Sequence, residues 1–501
     1  MDTDSTRWLK FRSGAEVRAP EALLTDGRME RLGYAFACWL AERNETTPDA
    51  LRLAVGRDSR PSGARIKAAL TRGITAADSD VLDCGQCAAP ALFMTLLPEP
   101  GADGAIMVTT SDVGAGLNGC RFVTAKGPLK AADVEDILRR AARAEVPERL
   151  VVRHDATELY YERLRRMAAR CLEDDALKPL LGMRVVVDAR SDVGERYAEF
   201  LDALGVDAEP SLRRGDGEAA RVVSPDDPGE IEAVARAVVE SRADLGVLFN
   251  AAGDRVAVVD GGGRPIAQNR LIALIAAILL DEKPGSTFVT DSVTSTGLSA
   301  FIAEWGGVHY RFKRGYLNVT DEAIRLNAEG IDCPLAIETS GHAAFRENGF
   351  LVDGIYLATR IICEALNRKR EGQDVFSLID DLKEPVESVE IRLPILEFED
   401  WEPEEEAQEI VEIILSHTLT HPEWQAATDS REGARITLNL DGGVNNAWFQ
   451  LRMSVHDPVM VLNAESDVPG GVDRVLSALY ALIQDTEKVD LSPLRRALEK
   501  M

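Results

Sequence analysis

For most of its 501 residues the chain alternates short apolar, strand-like runs with stretches of helical periodicity. That alternation is the pattern of α/β layers built on parallel strands. Residues 51–55 read as a strand before a helix at 64–72, followed by strands near 79–82 and 105–108 and an Ala-rich helix at 131–144. The polar stretch 145–155 reads as a boundary. A helix at 157–171 opens a second unit with strands at 183–188 and 244–249, and a helix at 268–280 opens a third, with a strand at 287–290 and a helix at 295–305. From about Val386 the rhythm turns to period two over 386–393. After an acidic run at 397–406 come strands at 435–440, 448–452 and 459–462 and a helix at 472–486, the pattern of an α+β unit with an antiparallel sheet. The expected fold class is therefore α/β: three consecutive α/β domains with mixed or parallel sheets plus a C-terminal α+β domain. The three α/β units share a rhythm without demonstrable sequence identity.

Composition narrows the function classes. With 45% apolar residues the chain can bury several cores, and at roughly 100 to 150 residues per domain it should divide into about three to five. The start carries no apolar stretch behind a basic one. The longest fully apolar run, 271–280, is well short of the roughly 20 residues that span a bilayer, so the chain reads as cytoplasmic. A formal charge of -27, from 84 acidic against 57 basic residues, disfavours nonspecific binding to nucleic acid or anionic membrane. It leaves room for an anionic small ligand where basic residues converge. Seven scattered cysteines suit reduced thiols. Cys84 and Cys87 follow the strand-like 79–82 segment and lack a second pair for zinc. His417 and His421, four apart on an expected helix, have metal-ligand spacing but no evident carboxylate partner, and read as solvated helix residues, as does the acidic run.

Four segments carry chemistry. Residues 109–119 follow a strand and combine three glycines, two threonines and Ser111, which exposes a hydroxyl and lets backbone N–H groups approach an anion; alone, such a loop is also an ordinary turn. Residues 56–63 join a strand to a helix and bring Arg57 and Arg60 toward the same sheet edge. Ile337-Glu338-Thr339-Ser340-Gly341-His342 is an apolar strand ending in groups that hydrogen-bond sugar hydroxyls. Arg452-Met453-Ser454-Val455-His456-Asp457-Pro458 ends a strand with a cation and a hydroxyl suited to phosphate. Strand ends in open α/β sheets are where ligands bind.

In their order and spacing these segments resemble the α-D-phosphohexomutase family, the phosphoglucomutases and phosphomannomutases, over nearly the whole chain. Glu16-Val17-Arg18 is similar to the family's Ile-Arg-Gly segment, and residues 109–122 to its Thr-Ala-Ser-His-Asn-Pro…Asn-Gly-x-Lys motif, with Ser111 on the phosphoserine. Asn250 to Arg255 falls on the Asp-Gly-Asp-x-Asp-Arg metal loop, Lys313-Arg314-Gly315-Tyr316 on the specificity loop, 338–342 on the sugar loop and 452–458 on the phosphate loop. The stretches 312–318 and 336–343 resemble in particular a bacterial and plastid branch. The resemblance implies four domains around a central cleft: 1–155 with the phosphoserine loop, 156–266 with the metal loop, 267–385 binding sugar and 386–501 binding phosphate. It further implies a phosphoserine that moves phosphate between the ends of a hexose phosphate, glucose or mannose. Ser111, Arg18, Arg60 and Arg121 would be catalytic, and Arg314, Gly315, Tyr316, Glu338, Ser340, His342, Arg452, Ser454 and His456 would bind substrate. Mg²⁺ would sit at Ser111, Asn250 and Asp254, a hexose bisphosphate would serve as activator, and the protein would be a monomer or homodimer.

The departures lie on the catalytic loops. Asn250 and Ala252 stand where the family has aspartates, so only Asp254 remains, and Mg²⁺ prefers anionic oxygen in octahedral geometry. Asp112 replaces a histidine beside Ser111 and would repel a phosphoserine of about -2 charge. Arg121 replaces a lysine that assists proton transfer in the family; a guanidinium holds charge but cannot serve as a base. Two expectations follow. In one, an active mutase uses Arg18, Arg60 and Arg121 for the positive charge that the metal would provide. In the other, a noncatalytic sugar-phosphate-binding protein keeps the ligand loops and loses the chemistry.

Overall fold

The structure is a computed structural model that describes residues 8, 10–99, 101–110, 116–147, 156–173, 177–207, 212–213, 223–396, 403–454 and 457–499. Ser111, Asp112, His456 and positions 397–402 of the acidic run lie outside the described residues. The chain divides into two compact units, Met1–Ala267 with Ser340–Ser377, and Gln268–Thr339 with Leu378–Met501.

In the first unit, the strands Asp80–Gln86, Arg52–Arg57 and Gly104–Val108 run parallel in that spatial order. Leu117–Thr124 is antiparallel to Gly104–Val108, and Glu16–Pro20 is antiparallel to Leu117–Thr124. Helices Asp26–Arg43, Gly63–Ala76 and Ala131–Arg143 supply the apolar faces of this core, where Phe36, Leu70, Ile137 and Phe122 are all buried. A second mixed sheet pairs Leu245–Phe249 in parallel with Val185–Ala189 and antiparallel with Val256–Asp260. The helix Gly354–Arg370 is tied to this unit through buried polar groups. Asp353 caps it by accepting from the Tyr356 backbone N–H at 2.8 Å, and also accepts from Tyr160 Oη at 2.8 Å and Asn348 Nδ2 at 2.9 Å. Burial pushes the Asp353 carboxyl up to about 6, against these donors.

In the second unit, Thr287–Thr290 runs parallel to both Val308–Arg311 and Leu335–Ile337. The helix Asn269–Glu282 is apolar all round, and Leu271 through Leu280 are all buried, as such a helix requires. The C-terminal sheet is antiparallel throughout, in the order Glu387–Pro394, Val459–Ser466, Ala447–Met453, Ala434–Leu438, Trp424–Ala426. The helices Pro403–Thr418 and Gly471–Ile483 contribute to its core. This matches the α/β expectation with a C-terminal α+β unit.

Three readings need correction. The strand Asp80–Gln86 runs through Cys84 rather than ending before it, and both Cys84 and Cys87 are buried thiols. The helix carrying His417 ends at Thr418, so His421 lies beyond it. Their rings stack with centroids 3.6 Å apart, and His417 also meets Trp424 edge-on; these histidines pack against one another and do not simply point into solvent. Among the described residues no cluster of His, Cys, Asp or Glu is arranged to hold a metal, and no helix is long and apolar enough to cross a membrane.

Burial pushes the Glu465 carboxyl up to about 7, against the donor Trp448 Nε1 at 2.9 Å and the nearby Arg435 and Arg311. The folded state therefore holds this proton more tightly than the unfolded chain, whose ordinary value is 4.5. Stability should rise as pH falls from about 8 through 7 and level off near 4.5. Glu465→Gln keeps an acceptor for Trp448 without the charge. Its melting temperature at pH 8 is expected to exceed wild type by roughly 3 °C, with the gap closing by pH 5. Parallel melting curves would contradict this account.

Candidate functional site

Some of the sequence-selected residues follow parallel strands, as Arg60, Asp254 and Glu338 do, whereas Arg18, Arg121 and Arg452 lie on antiparallel strands. In the first unit the chain leaves Arg52–Arg57 through Asp58, Ser59 and Arg60. The Asp58 carboxylate accepts from the Arg60 backbone N–H at 3.0 Å, Arg60 Nε at 3.2 Å and Thr109 Oγ1 at 2.7 Å. Arg60 Nη2 donates to the Thr110 carbonyl at 2.8 Å, so the guanidinium anchors the backbone directly before Ser111. Asp58 and Arg60 are both buried, and burial raises the Asp58 carboxyl despite its donors.

Arg121 lies on Leu117–Thr124 directly opposite Glu16 of Glu16–Pro20. Its Nε donates to Glu16 Oε1 at 2.6 Å, and its Nη1 bonds Asp254 Oδ2. All three side chains are almost fully buried. Arg18, two residues along and on the same strand face, brings Nη2 to 3.6 Å from Glu16 Oε2. The close approach of the two strands demands Gly119, where a Cβ would meet the Val17 carbonyl at 2.0 Å.

Asp254 is the centre of this network. Asn250 Nδ2 donates to its Oδ1 at 2.7 Å, while Asn250 Oδ1 accepts from the Arg255 backbone N–H at 3.2 Å. His342 Nε2 stands 3.9 Å from Asp254 Oδ1, and Ser340 Oγ is 2.9 Å from His342 Nδ1. Burial alone would raise the Asp254 carboxyl; the charges of Arg121 and His342 and the donors on it outweigh burial and hold it down at about 2. These groups do not fit a divalent metal. Asn250 turns an N–H toward Asp254, Ala252 offers a methyl, and Arg121 already occupies the carboxylate. At an effective dielectric of about 20, unit charges 4 Å apart interact by ~4 kcal/mol, so a divalent ion on Asp254 would be repelled by Arg121 by about twice that.

In the second unit, Glu338 follows Leu335–Ile337 and is buried, and its Oε1 accepts from the Gly315 backbone N–H at 2.6 Å. Gly315, with φ of +121°, precedes the helix that begins at Tyr316. Arg314 Nε lies 3.8 Å from Asp291 Oδ2, and the Arg314 backbone N–H donates to Glu432 Oε2 at 3.0 Å. The same Glu432 oxygen accepts from Ser292 Oγ at 2.5 Å and lies 3.9 Å from Arg452 Nε. That Nε is buried without a hydrogen-bond partner among the described residues. Ser454 follows the strand bearing Arg452, and its backbone N–H donates to the Val459 carbonyl at 2.8 Å. Burial pushes Asp291 up to about 6; Arg314 opposes this and the Glu338 charge adds to it.

Thus Arg18, Arg60, Arg121, Asn250, Asp254, Ser340 and His342 belong to the first unit, and Arg314, Gly315, Tyr316, Glu338, Arg452 and Ser454 to the second. Sequence reasoning missed Glu16, Asp291 and Glu432. Glu16 was accessible from its i, i+2 relation to Arg18, and Asp291 from its place just past a strand end. Glu432 gave no local signal.

Residues 10–148 match the phosphoglucomutase/phosphomannomutase alpha/beta/alpha domain I model, and residues 267–385 match that of domain III. A phosphomannomutase/phosphoglucomutase of Pseudomonas aeruginosa is 28% identical over 84% of this chain and 85% of its own length. A phosphoglucomutase of Neisseria gonorrhoeae is 24% identical over 92% and 94%. The crystal structure of a phosphoglucomutase/phosphomannomutase family protein from Burkholderia thailandensis shares the fold, with a TM-score of 0.77 at 22% identity, covering 97% of this chain and 98% of that one.

Asp58→Ala would leave Arg60 buried without its carboxylate. It is expected to cost about 3–5 kcal/mol, read from the denaturant midpoint at unchanged slope. Glu432→Gln keeps acceptors for Ser292 and the Arg314 N–H but removes the charge facing Arg452. Its affinity for inorganic phosphate should rise by about tenfold, measured by calorimetry. A fall would instead make Glu432 a brace for the Arg314 backbone.

Proposed function

The chain belongs to the phosphoglucomutase/phosphomannomutase family, and we propose that it is a phosphohexomutase moving phosphate between the 1 and 6 positions of glucose or mannose phosphate through Ser111. The observation that carries this reading is the recognition set of the second unit. Glu338 accepts from the Gly315 N–H and stands ready for hydroxyl recognition, and the buried Arg452 Nε, with no hydrogen-bond partner among the described residues, suits phosphate. In the proposed reaction a sugar hydroxyl oxygen attacks the phosphorus on Ser111. The serine oxygen–phosphorus bond breaks as the new sugar–phosphate bond forms, and the proton lost by the sugar hydroxyl is matched by the one the leaving serine oxygen takes up to become a free hydroxyl. The bisphosphate turns over, and its other phosphoryl group returns to Ser111. Arg60, anchored to the Thr110 carbonyl, holds the backbone leading into the serine, and Arg121 supplies charge without accepting a proton.

One observation favours a second reading, a noncatalytic hexose-phosphate-binding protein: Asp254, the one carboxylate left in its loop, is already neutralised by Arg121. Turnover separates the two. Purified protein given glucose 1-phosphate or mannose 1-phosphate with a hexose 1,6-bisphosphate primer should form the 6-phosphate. Ser111→Ala should abolish this while leaving calorimetric binding within about threefold, or ~0.7 kcal/mol. Binding by wild type without turnover would replace the mutase with the binding protein, and absence of both would reject both readings.

A further inference from the structure

The charge bridge of the first unit bears on what this centre requires. Glu16, Arg121 and Asp254 are buried together, with Arg121 Nε on Glu16 and Nη1 on Asp254. Asn250, the other side chain of the loop that carries an oxygen, presents its amide N–H to that carboxylate and its oxygen to a backbone N–H. Its oxygen is committed inside the loop, and Ala252 contributes none. A divalent ion would have to displace a guanidinium held by two carboxylates and would find only one carboxylate in the loop. An arginine, unlike a bound ion, is neither exchanged nor chelated, and it stays protonated at any physiological pH.

We infer that the Arg121 guanidinium is the permanent cation of this centre, so that sugar-phosphate binding proceeds without a divalent metal, and that removing it turns Glu16 and Asp254 into a site that takes one. The inference rests on the sugar-phosphate function proposed for the protein. With Arg121 gone, Glu16 keeps Arg18 at 3.6 Å and Asp254 keeps His342 at 3.9 Å, but the cation that bridges the two buried carboxylates is lost, and a divalent cation can take its place.

Two measurements on wild type test it. Calorimetric affinity for glucose 1,6-bisphosphate is expected to agree within about twofold in EDTA and in Mg²⁺. Mn²⁺ titration followed by electron paramagnetic resonance is expected to show no stoichiometric uptake. A loss of about tenfold or more in EDTA, or one tightly held Mn²⁺ per chain, would overturn the inference. In Arg121→Gln, affinity in EDTA should fall by at least about tenfold. Mn²⁺ should restore it and raise the melting temperature, an effect absent in wild type. Should this variant not fold, the wild-type resonance and chelation results decide alone. Should no sugar phosphate bind under any condition, the sugar-phosphate function fails, and the Mn²⁺ titration still decides whether the centre excludes metal.

Discussion

A buried guanidinium must be balanced, and Arg121 is balanced from two directions. Glu16 faces it across an antiparallel strand pair, and Asp254 reaches it from the loop after Leu245–Phe249. Removing Arg121 would take away the cation that bridges two buried carboxylates, at a cost of several kcal/mol. The bridge helps to hold the Asp254 carboxyl below its ordinary range, and Asn250 turns its amide N–H toward it. The geometry of the loop from Asn250 to Arg255 follows from this one demand. Arg255 extends the pattern, donating from Nε to the Ser340 carbonyl at 2.7 Å and pairing with Asp226. Gly341 is required there because a Cβ would meet the Val256 carbonyl at 2.7 Å.

The second unit solves a different problem. Arg314 and Arg452 stand among the carboxylates of Asp291, Glu338 and Glu432. One Glu432 oxygen holds the Arg314 backbone and Ser292 Oγ while lying near Arg452. This carboxylate lies against the Arg452 guanidinium, so any anion drawn to that cation would compete with an internal one. For a chain carrying a net charge of -27, local arrangement of arginines, not overall potential, must create any affinity for anions.

Much of the architecture was legible because its causes are local. Period-two and helical patterns depend on neighbours in sequence, and the strand Thr287–Thr290 and the apolar helix Asn269–Glu282 fell where periodicity put them. The candidate residues were chosen from motif order and spacing, which depend only on the sequence, while their partners come from the pairing of distant strands. The histidine pair was misread because the four-residue spacing outweighed Pro422, which disfavours helix at His421 and marks the end of the helix at Thr418. Glu432 was missed because its partners, Ser292 and Arg314, lie 140 and 118 residues away.

The sequence by itself determined the α/β framework, the family, and the loss of two acids from the loop at Asn250 to Arg255, since each depends only on residue type, order and spacing. Whether that loss left a vacant acid or a satisfied one was decided by tertiary structure. Arg121 and Asp254 are separated by 133 residues, and no periodicity encodes their meeting. It required strands Glu16–Pro20 and Leu117–Thr124 to pair in one register, and Asp254 to be buried within hydrogen-bond reach of the guanidinium they hold. Burial then made the pairing obligatory, because neither charge could be left alone out of water.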